Sequence, residues 1–377
     1  MNVIFACGGT GGHVNPAIAV ANIWKERYPD SKILFIGGEL GLETTLVPKA
    51  GYELISLPAD GFYRGKSFHA IKKNIKTIAT NLRAIRACKK IFREVKPQVV
   101  VGTGGYASFP ALMAAAMMKI PTCVHESNAV PGLTTKLAAK WADKVLVCFP
   151  ECSRYYSDPQ KVEVVGMPVR REFIYTKRED ARKELELDDR PVVVSAFGSQ
   201  GAEDMNYAVA QMFRLEQDGD FPYQHIHATG SFGWEWMGEY VAKQGVQLDK
   251  APSIRMSEYI YNMPTVMAAA DVFISRAGAG SCNEIAVSGT PCILIPSPNV
   301  TNDHQTKNAM AMVERGAAVM IKQDDCTAQR LMQEVERLLT DTQAYNDMRK
   351  SLQEMAIPDC AERMCRIMED LAKGKEQ

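Results

Sequence analysis

Four short glycine-rich runs hold the side chains best suited to chemistry. The first, Gly8-Gly9-Thr10-Gly11-Gly12-His13, ends on an imidazole. Free histidine titrates at about pH 6.5, so at the lip of such a turn it can take a proton as a general base or position another group. A lone histidine is more often structural, and its place inside the run is what favours function. Glycines permit a tight turn and a close backbone approach, and a helix starting beyond them offers N–H groups to an anion or a polar sugar. Pro16 suits the first turn of that helix. A tight turn with no ligand is the alternative. The other three runs are Gly102-Thr103-Gly104-Gly105-Tyr106, Gly198-Ser199-Gln200-Gly201 and Gly278-Ala279-Gly280-Ser281.

Further candidates surround these runs. Glu284 falls near the start of the helix expected after Gly278. Its carboxylate can accept two hydrogen bonds from a ribose diol, or simply balance the helix dipole. Gln305, expected in a polar loop, can both donate to and accept from sugar hydroxyls, whereas His304 beside it suits an exposed, bland role equally well. In His125-Glu126-Ser127-Asn128 a buried Glu126 would orient a neighbouring group or the loop itself. The acidic pair Asp218-Gly219-Asp220, followed by Phe221-Pro222, reads as a solvated turn rather than a metal site.

The elements that must position these residues are short β-branched runs alternating with helical patterns. Strands are expected at Val3–Ala6, Lys32–Ile36, Val99–Gly102, Thr122–His125, Lys144–Cys148 and Val162–Val165. A second series covers Val192–Phe197, Gln224–Thr229, Val272–Ser275, Cys292–Ile295 and Ala318–Ile321. This alternation predicts an α/β protein with parallel sheets covered on both faces. Each glycine run follows a strand, two in each half, and open α/β sheets bind ligands at that carboxyl edge. Two Rossmann-like domains facing a cleft would suit a ligand with two different ends. Gly166-Met167-Pro168 marks the boundary, giving domains at 1–166 and 167–359 and a final helix at 360–377, for which a return to the first domain is one option. The first run is not the dinucleotide pattern, which argues against a nicotinamide dehydrogenase.

The chain has 377 residues and no net charge, yet residues 1–166 carry 21 Lys and Arg against 12 acids, and the remainder 23 against 32. Ten cysteines form no CxxC pair and are expected as buried thiols in a reducing compartment. With a strand at the N-terminus and no long apolar span, a cytoplasmic protein is expected. Residues 64–96 hold 11 Lys and Arg and one acid, Glu94, with Phe68, Ile71, Ile75, Ile78, Leu82, Ile85 and Phe92 at helical spacing. Core packing explains part of that stripe, and docking on anionic lipid explains its charge. Nucleic acid is disfavoured, because beyond Tyr63 no aromatics interleave with the charges.

In order along the chain, several motifs resemble the MurG family of glycosyltransferases. They are Gly8–Val14, Val101–Tyr106, His125–Asn128, Gly166–Arg170, Gly198–Ala202, Ser275–Gly280, Ile295–Thr301 and His304–Ala309. The resemblance implies a GT-B fold and an inverting transfer of N-acetylglucosamine from UDP-N-acetylglucosamine to the 4-hydroxyl of lipid I, making lipid II for peptidoglycan. It places acceptor and membrane in the first domain and the donor in the second. Arg170 and Ile260 would hold the uracil side, Glu284 the ribose, Ser199 and Ala279, Gly280 and Ser281 the diphosphate, and Gln305 and Asn128 the donor sugar. Thr10, Gly11 and Gly12 would line the reacting centre, with His13 and Glu126 as the catalytic candidates. No tightly bound cofactor or metal is expected, although free Mg2+ could stimulate. The expected location is the inner face of the cell membrane, with a cell-wall synthesis complex as a further partner.

Ser127, Met167, Ala196-Phe197 and Ser231 depart from the family pattern, and Phe232-Gly233-Trp234-Glu235-Trp236 is idiosyncratic beside it. The rival functions are another lipid glycosyltransferase, a UDP-N-acetylglucosamine 2-epimerase of the same fold, and a non-catalytic nucleotide-sugar sensor.

Overall fold

The computed structural model describes residues 1–61, 68–220 and 222–374. Tyr63, the segment 64–67 and Phe221 lie outside the described residues, as do the side chains of Phe68 and Ile71.

Two compact units divide the chain. The first comprises Met1–Val169 and Ile357–Gln377, the second Arg170–Ala356. The divisions therefore fall just inside the expected second domain, at 169/170 and 356/357 rather than 166/167 and 359/360. Seven strands form the first sheet: β1 (Val3–Cys7), β2 (Ile33–Gly37), β3 (Glu53–Ser56), β4 (Val99–Gly104), β5 (Thr122–Glu126), β6 (Lys144–Val147) and β7 (Val162–Val164). Their order is β3-β2-β1-β4-β5-β6-β7, and every pairing is parallel. The second sheet holds β8 (Val192–Ala196), β9 (Gln224–Ala228), β10 (Ile254–Ser257), β11 (Val272–Ser275), β12 (Cys292–Leu294) and β13 (Val319–Met320), ordered β10-β9-β8-β11-β12-β13. It too is parallel throughout.

The central strands are apolar on both faces because helices cover both. In β1, Val3, Phe5 and Cys7 pack on one side with Trp24 and Phe35, while Ile4 and Ala6 pack on the other with Cys88, Phe92 and Val100. The last helix, Cys360–Lys373, buries Met364, Cys365 and Met368 in the first of these clusters and pairs Glu369 with Arg27 at 2.8 Å. It thus completes the core of the first unit. All ten cysteines are buried and unbridged.

Three helices of the first unit matter below: α1 (Gly11–Arg27), α2 (Glu43–Lys49) and α3 (Phe68–Val95). Because α1 starts at Gly11, Pro16 lies inside the helix and not in its first turn. Proline has no N–H to return to the carbonyl of Gly12, four residues back, so that one helical hydrogen bond is missing.

Candidate active site

In a parallel sheet whose strand order reverses, the two strands leaving the reversal point send their connections to opposite faces, and a crevice opens between their carboxyl ends. The first sheet reverses between β1 and β4, the second between β8 and β11. The four glycine runs follow those four strands. Sequence-distant turns are thereby gathered into two sites, one per unit.

In the first unit, register slips at the reversal: Ala6 pairs Gly102, but Cys7 pairs Gly104. His13 packs against Gly104 beside that slip. Thr10 caps α1 in an extended conformation, and its carbonyl accepts the N–H groups of His13 and Val14 at 3.0 and 3.2 Å. His13 Nδ1 lies 3.1 Å from Gly8 O and 3.4 Å from Thr10 Oγ1. Thr103 Oγ1 donates to the His13 carbonyl at 2.6 Å, fixing the helix start against β4. The following turn must be glycine. A Cβ on Gly104 would sit 2.6 Å from His13 Cδ2, and one on Gly105 would sit 2.2 Å from Gly8 O. Thr10 and Gly12 are exposed, and Gly11 and His13 half-buried.

At the end of β5, His125 is fully buried, and its Nε2 donates to Gly166 O at 2.9 Å. Burial lowers its pKa, so it stays neutral. Glu126 accepts from Asn128 N and Nδ2 at 3.0 and 3.1 Å on one oxygen, and from Gly132 N at 3.0 Å on the other. A carboxylate so occupied shapes its loop. Both oxygens serve Asn128 and the start of the helix Leu133–Ala138.

In the second unit, the helix Ala279–Ser288 begins at the last of the four runs. Its cap residue Gly278 has no side chain to satisfy the first N–H groups, and Ala279, Gly280 and Ser281 form that open first turn. Ser199 is exposed in the turn after β8. Its carbonyl and that of Gln200 accept Ser231 N and Phe232 N at 3.2 and 3.1 Å, so this turn leans on the next one. Glu284, in the second turn of its helix, is half-buried. Burial raises its carboxyl to about 7, against the opposing pull of the Arg170 guanidinium. Arg170 stacks over Phe173 with its guanidinium carbon 5.2 Å from the ring centroid. Ile260 is buried just beyond β10. Gln305 lies in the first turn of the helix His304–Val313 rather than in a loop, and its Oε1 accepts Ser297 N at 2.8 Å.

Two features escaped the sequence. Arg276, inside a quoted motif but given no role, donates to Ile295 O at 3.1 Å and to Gln323 Oε1 at 2.7 Å, and Gln323 donates on to Asp204 at 2.8 Å. An arginine directly after a strand, inside a glycine turn, was the available signal. The other is Glu43, taken up below. Asp218-Gly219-Asp220 ends a helix on the surface, with Asp218 paired to Arg214, and precedes β9 at the amino edge of the sheet. Among the described residues no group of three or more His, Cys, Asp or Glu is placed to hold a metal ion.

Two parallel sheets, each with glycine turns at its reversal point, define a nucleotide-sugar-dependent glycosyltransferase of the GT-B type. Residues 3–147 match the glycosyltransferase family 28 N-terminal domain and residues 192–364 its C-terminal domain, so the chain belongs to glycosyltransferase family 28. A relative from Acetivibrio thermocellus, named UDP-N-acetylglucosamine--N-acetylmuramyl-(pentapeptide) pyrophosphoryl-undecaprenol N-acetylglucosamine transferase, is 39% identical over 376 residues, covering 100% of this chain and 99% of the relative. The crystal structure of Acinetobacter baumannii MurG matches with a TM-score of 0.77 at 25% identity, over 98% of this chain and 99% of that one. A UDP-GlcNAc 2-epimerase from Neisseria meningitidis shares the fold alone, with a TM-score of 0.66 at 12% identity over 98% of this chain and 100% of that one.

Proposed function

We propose that this chain is a hexosyltransferase that moves N-acetylglucosamine from UDP-N-acetylglucosamine to the 4-hydroxyl of lipid I, with inversion, making lipid II for peptidoglycan. One observation carries the reading. Of two similarly built reversal points, the first holds an imidazole and the second an open helix start with a carboxyl two turns in. The first suits a general base and the second a donor site. His13 accepts the proton of the attacking hydroxyl through Nε2, while Thr10, Gly11 and Gly12 line the reacting centre. Glu126 acts by holding Asn128, and Asn128 and Gln305 are each assigned to the donor sugar. Glu284 takes the ribose, Arg170 and Ile260 flank the uracil, and the N–H groups of Ala279, Gly280 and Ser281, with Ser199, meet the diphosphate. Preorganised N–H dipoles can stabilise the departing UDP, so the transfer needs no resident metal, and free Mg2+ only assists.

The test is incubation with labelled UDP-N-acetylglucosamine and a short-chain lipid I analogue. A labelled disaccharide product is expected, with release of UDP and retained activity in EDTA. Conversion of donor to its 2-epimer without acceptor would replace this reading with the epimerase one.

The membrane face belongs to the same proposal. No helix among the described residues is long and apolar enough to cross a membrane. In α3, the stripe splits. Its C-terminal half is core, with Phe92 buried and Ile85 packed beside it. Its N-terminal half is turned over: Ile75, Ile78 and Leu82 are 64%, 49% and 50% exposed, while Thr77 and Asn81 face inward and Asn81 bonds the backbone of Asp60. Lys72, Lys73, Lys76, Arg83 and Arg86 are exposed around these apolar residues. Exposed apolar residues ringed by cations suit an anionic lipid surface, at about 1 kcal/mol per basic residue, which supports a peripheral position on the inner face of the membrane. Replacing Lys72, Lys73, Lys76 and Arg83 by glutamine should strip the protein from anionic vesicles and leave activity on a water-soluble acceptor largely intact. Vesicle binding indifferent to both salt and these substitutions would contradict it.

A further inference from the structure

Glu43 has no part in the reading above, yet it is 0% exposed at the start of α2. A buried carboxylate is costly unless its oxygens are hydrogen-bonded. Oε1 accepts the N–H of Gly38 and Oε2 the N–H of Gly9, both at 2.8 Å. The surrounding chain leaves room for nothing else. A Cβ on Gly8 would come within 2.7 Å of Oε1, one on Gly37 within 2.6 Å of Cγ, and one on Gly41 within 2.0 Å of Oε2. Three glycines thus form a socket for one acid, placed directly beneath the turn that carries His13.

The N–H of Gly9 and the carbonyl of Gly8 belong to the same peptide group. That carbonyl lies 3.1 Å from His13 Nδ1. A carbonyl oxygen can only accept, so Nδ1 carries the proton in this contact and Nε2 presents its lone pair. Carboxylate, peptide and imidazole therefore stand in line. A negative charge on the N–H side of a peptide polarises its carbonyl and makes it a stronger acceptor. In many functional sites a carboxylate touches the histidine directly, fixing its tautomer and favouring its charged form. Here one peptide unit stands between them.

We propose that Glu43 is a positioning residue that acts on His13 through the Gly8–Gly9 peptide, fixing the Nδ1–H tautomer and supporting the imidazolium formed as the acceptor hydroxyl is deprotonated. This rests on His13 being the base. The other titratable groups about the turn do not duplicate the effect. Burial, with Glu43 nearby, pushes the Cys7 thiol up to about 12. Burial also raises the Tyr106 phenol and keeps His125 neutral, and Glu126 is committed to Asn128 and Gly132. Thr10 Oγ1, at 3.4 Å, is a longer and weaker partner for Nδ1.

The test is nitrogen-15 NMR of histidine-labelled protein, with His13 assigned by its loss in His13→Asn, alongside pH–rate profiles of wild type and Glu43→Gln. The wild type should show neutral His13 protonated on Nδ1. In Glu43→Gln the Nε2–H tautomer should appear, and the acidic limb of the rate profile should move to lower pH. Turnover should fall about 10-fold to 100-fold, the range for partners that orient functional histidines, with donor affinity within about twofold. Glu43→Asp keeps the charge, and its acidic limb should stay nearer wild type. An Nε2-protonated His13 in the wild type would overturn the proposal, as would an unchanged tautomer and titration in folded Glu43→Gln. If Glu43→Gln fails to fold, the wild-type tautomer decides alone. Normal turnover in His13→Ala would instead remove the base reading, while the tautomer measurement still judged the contact with Glu43.

Discussion

The turn after β1 and the turn after β11 are built alike, each a strand, a glycine run and a helix at a reversal of strand order. They differ in what the turn is tied to. After β1 one backbone amide, that of Gly9, is spent inward on Glu43, and the side chain near the helix start is an imidazole. After β11 the turn is tied inward by the Ala277 carbonyl, which accepts Asn308 Nδ2 at 3.1 Å, and by the Arg276 guanidinium, which donates to Ile295 O at 3.1 Å. The first N–H groups of that helix remain open. One architecture thus yields two chemistries. In the proposed reading the inward Gly9 amide supports a proton acceptor, and the open amides of the second turn suit an anion.

The largest expected effect breaks the first turn. Loss of a general base typically costs about 10²–10⁴ in rate, so His13→Ala should lower turnover by that order. His13→Asn should be equally poor if proton transfer matters, and partly active if His13 only positions the acceptor. Steady-state rates with a soluble acceptor separate the two.

The second turn predicts a smaller loss of another kind. Glu284→Ala should weaken donor binding by about 1.5–3 kcal/mol, the worth of charge-assisted hydrogen bonds. Calorimetry showing unchanged affinity in a folded variant would take Glu284 away from the ribose.

The smallest effect sharpens the comparison through pH. Burial raises the Glu284 carboxyl from 4.5 to about 7 in the donor-free protein. Its contribution to stability is therefore full below about pH 4.5 and is lost as pH rises through about 7. Glu284→Gln should flatten that decline and melt higher than wild type at pH 8, by roughly 1–3 kcal/mol once residual solvent screening is allowed for. Ribose hydroxyls donate to the ionised form, so wild-type donor affinity should also weaken as pH falls below 7. A wild-type melting profile that is flat between pH 5 and 8 would mean the carboxyl is not strained by burial.

Sequence alone carried much of this. The central strands stood out as β-branched runs because both faces are covered. β3 and β10 did not, since each lies at a sheet edge and spends positions on Glu53 and Ser56, or on Arg255 and Ser257. The glycine turns were legible because close backbone approach demands glycine locally. Glu43 was not, because its partners are backbone N–H groups, one of them 34 residues away. The stripe in α3 has one period along its length, and only the inward side chains of Thr77 and Asn81 show that its first half faces outward.

The proposed division of labour puts chemistry at the first turn and donor binding at the second. Its most direct test is a calorimetric titration of UDP-N-acetylglucosamine into His13→Ala and Glu284→Ala, set beside their turnover numbers. His13→Ala should bind donor within about threefold of wild type while turning over about 10²–10⁴ more slowly, and Glu284→Ala should show the lost affinity. Donor affinity that collapses in His13→Ala, or turnover that survives there, would contradict it.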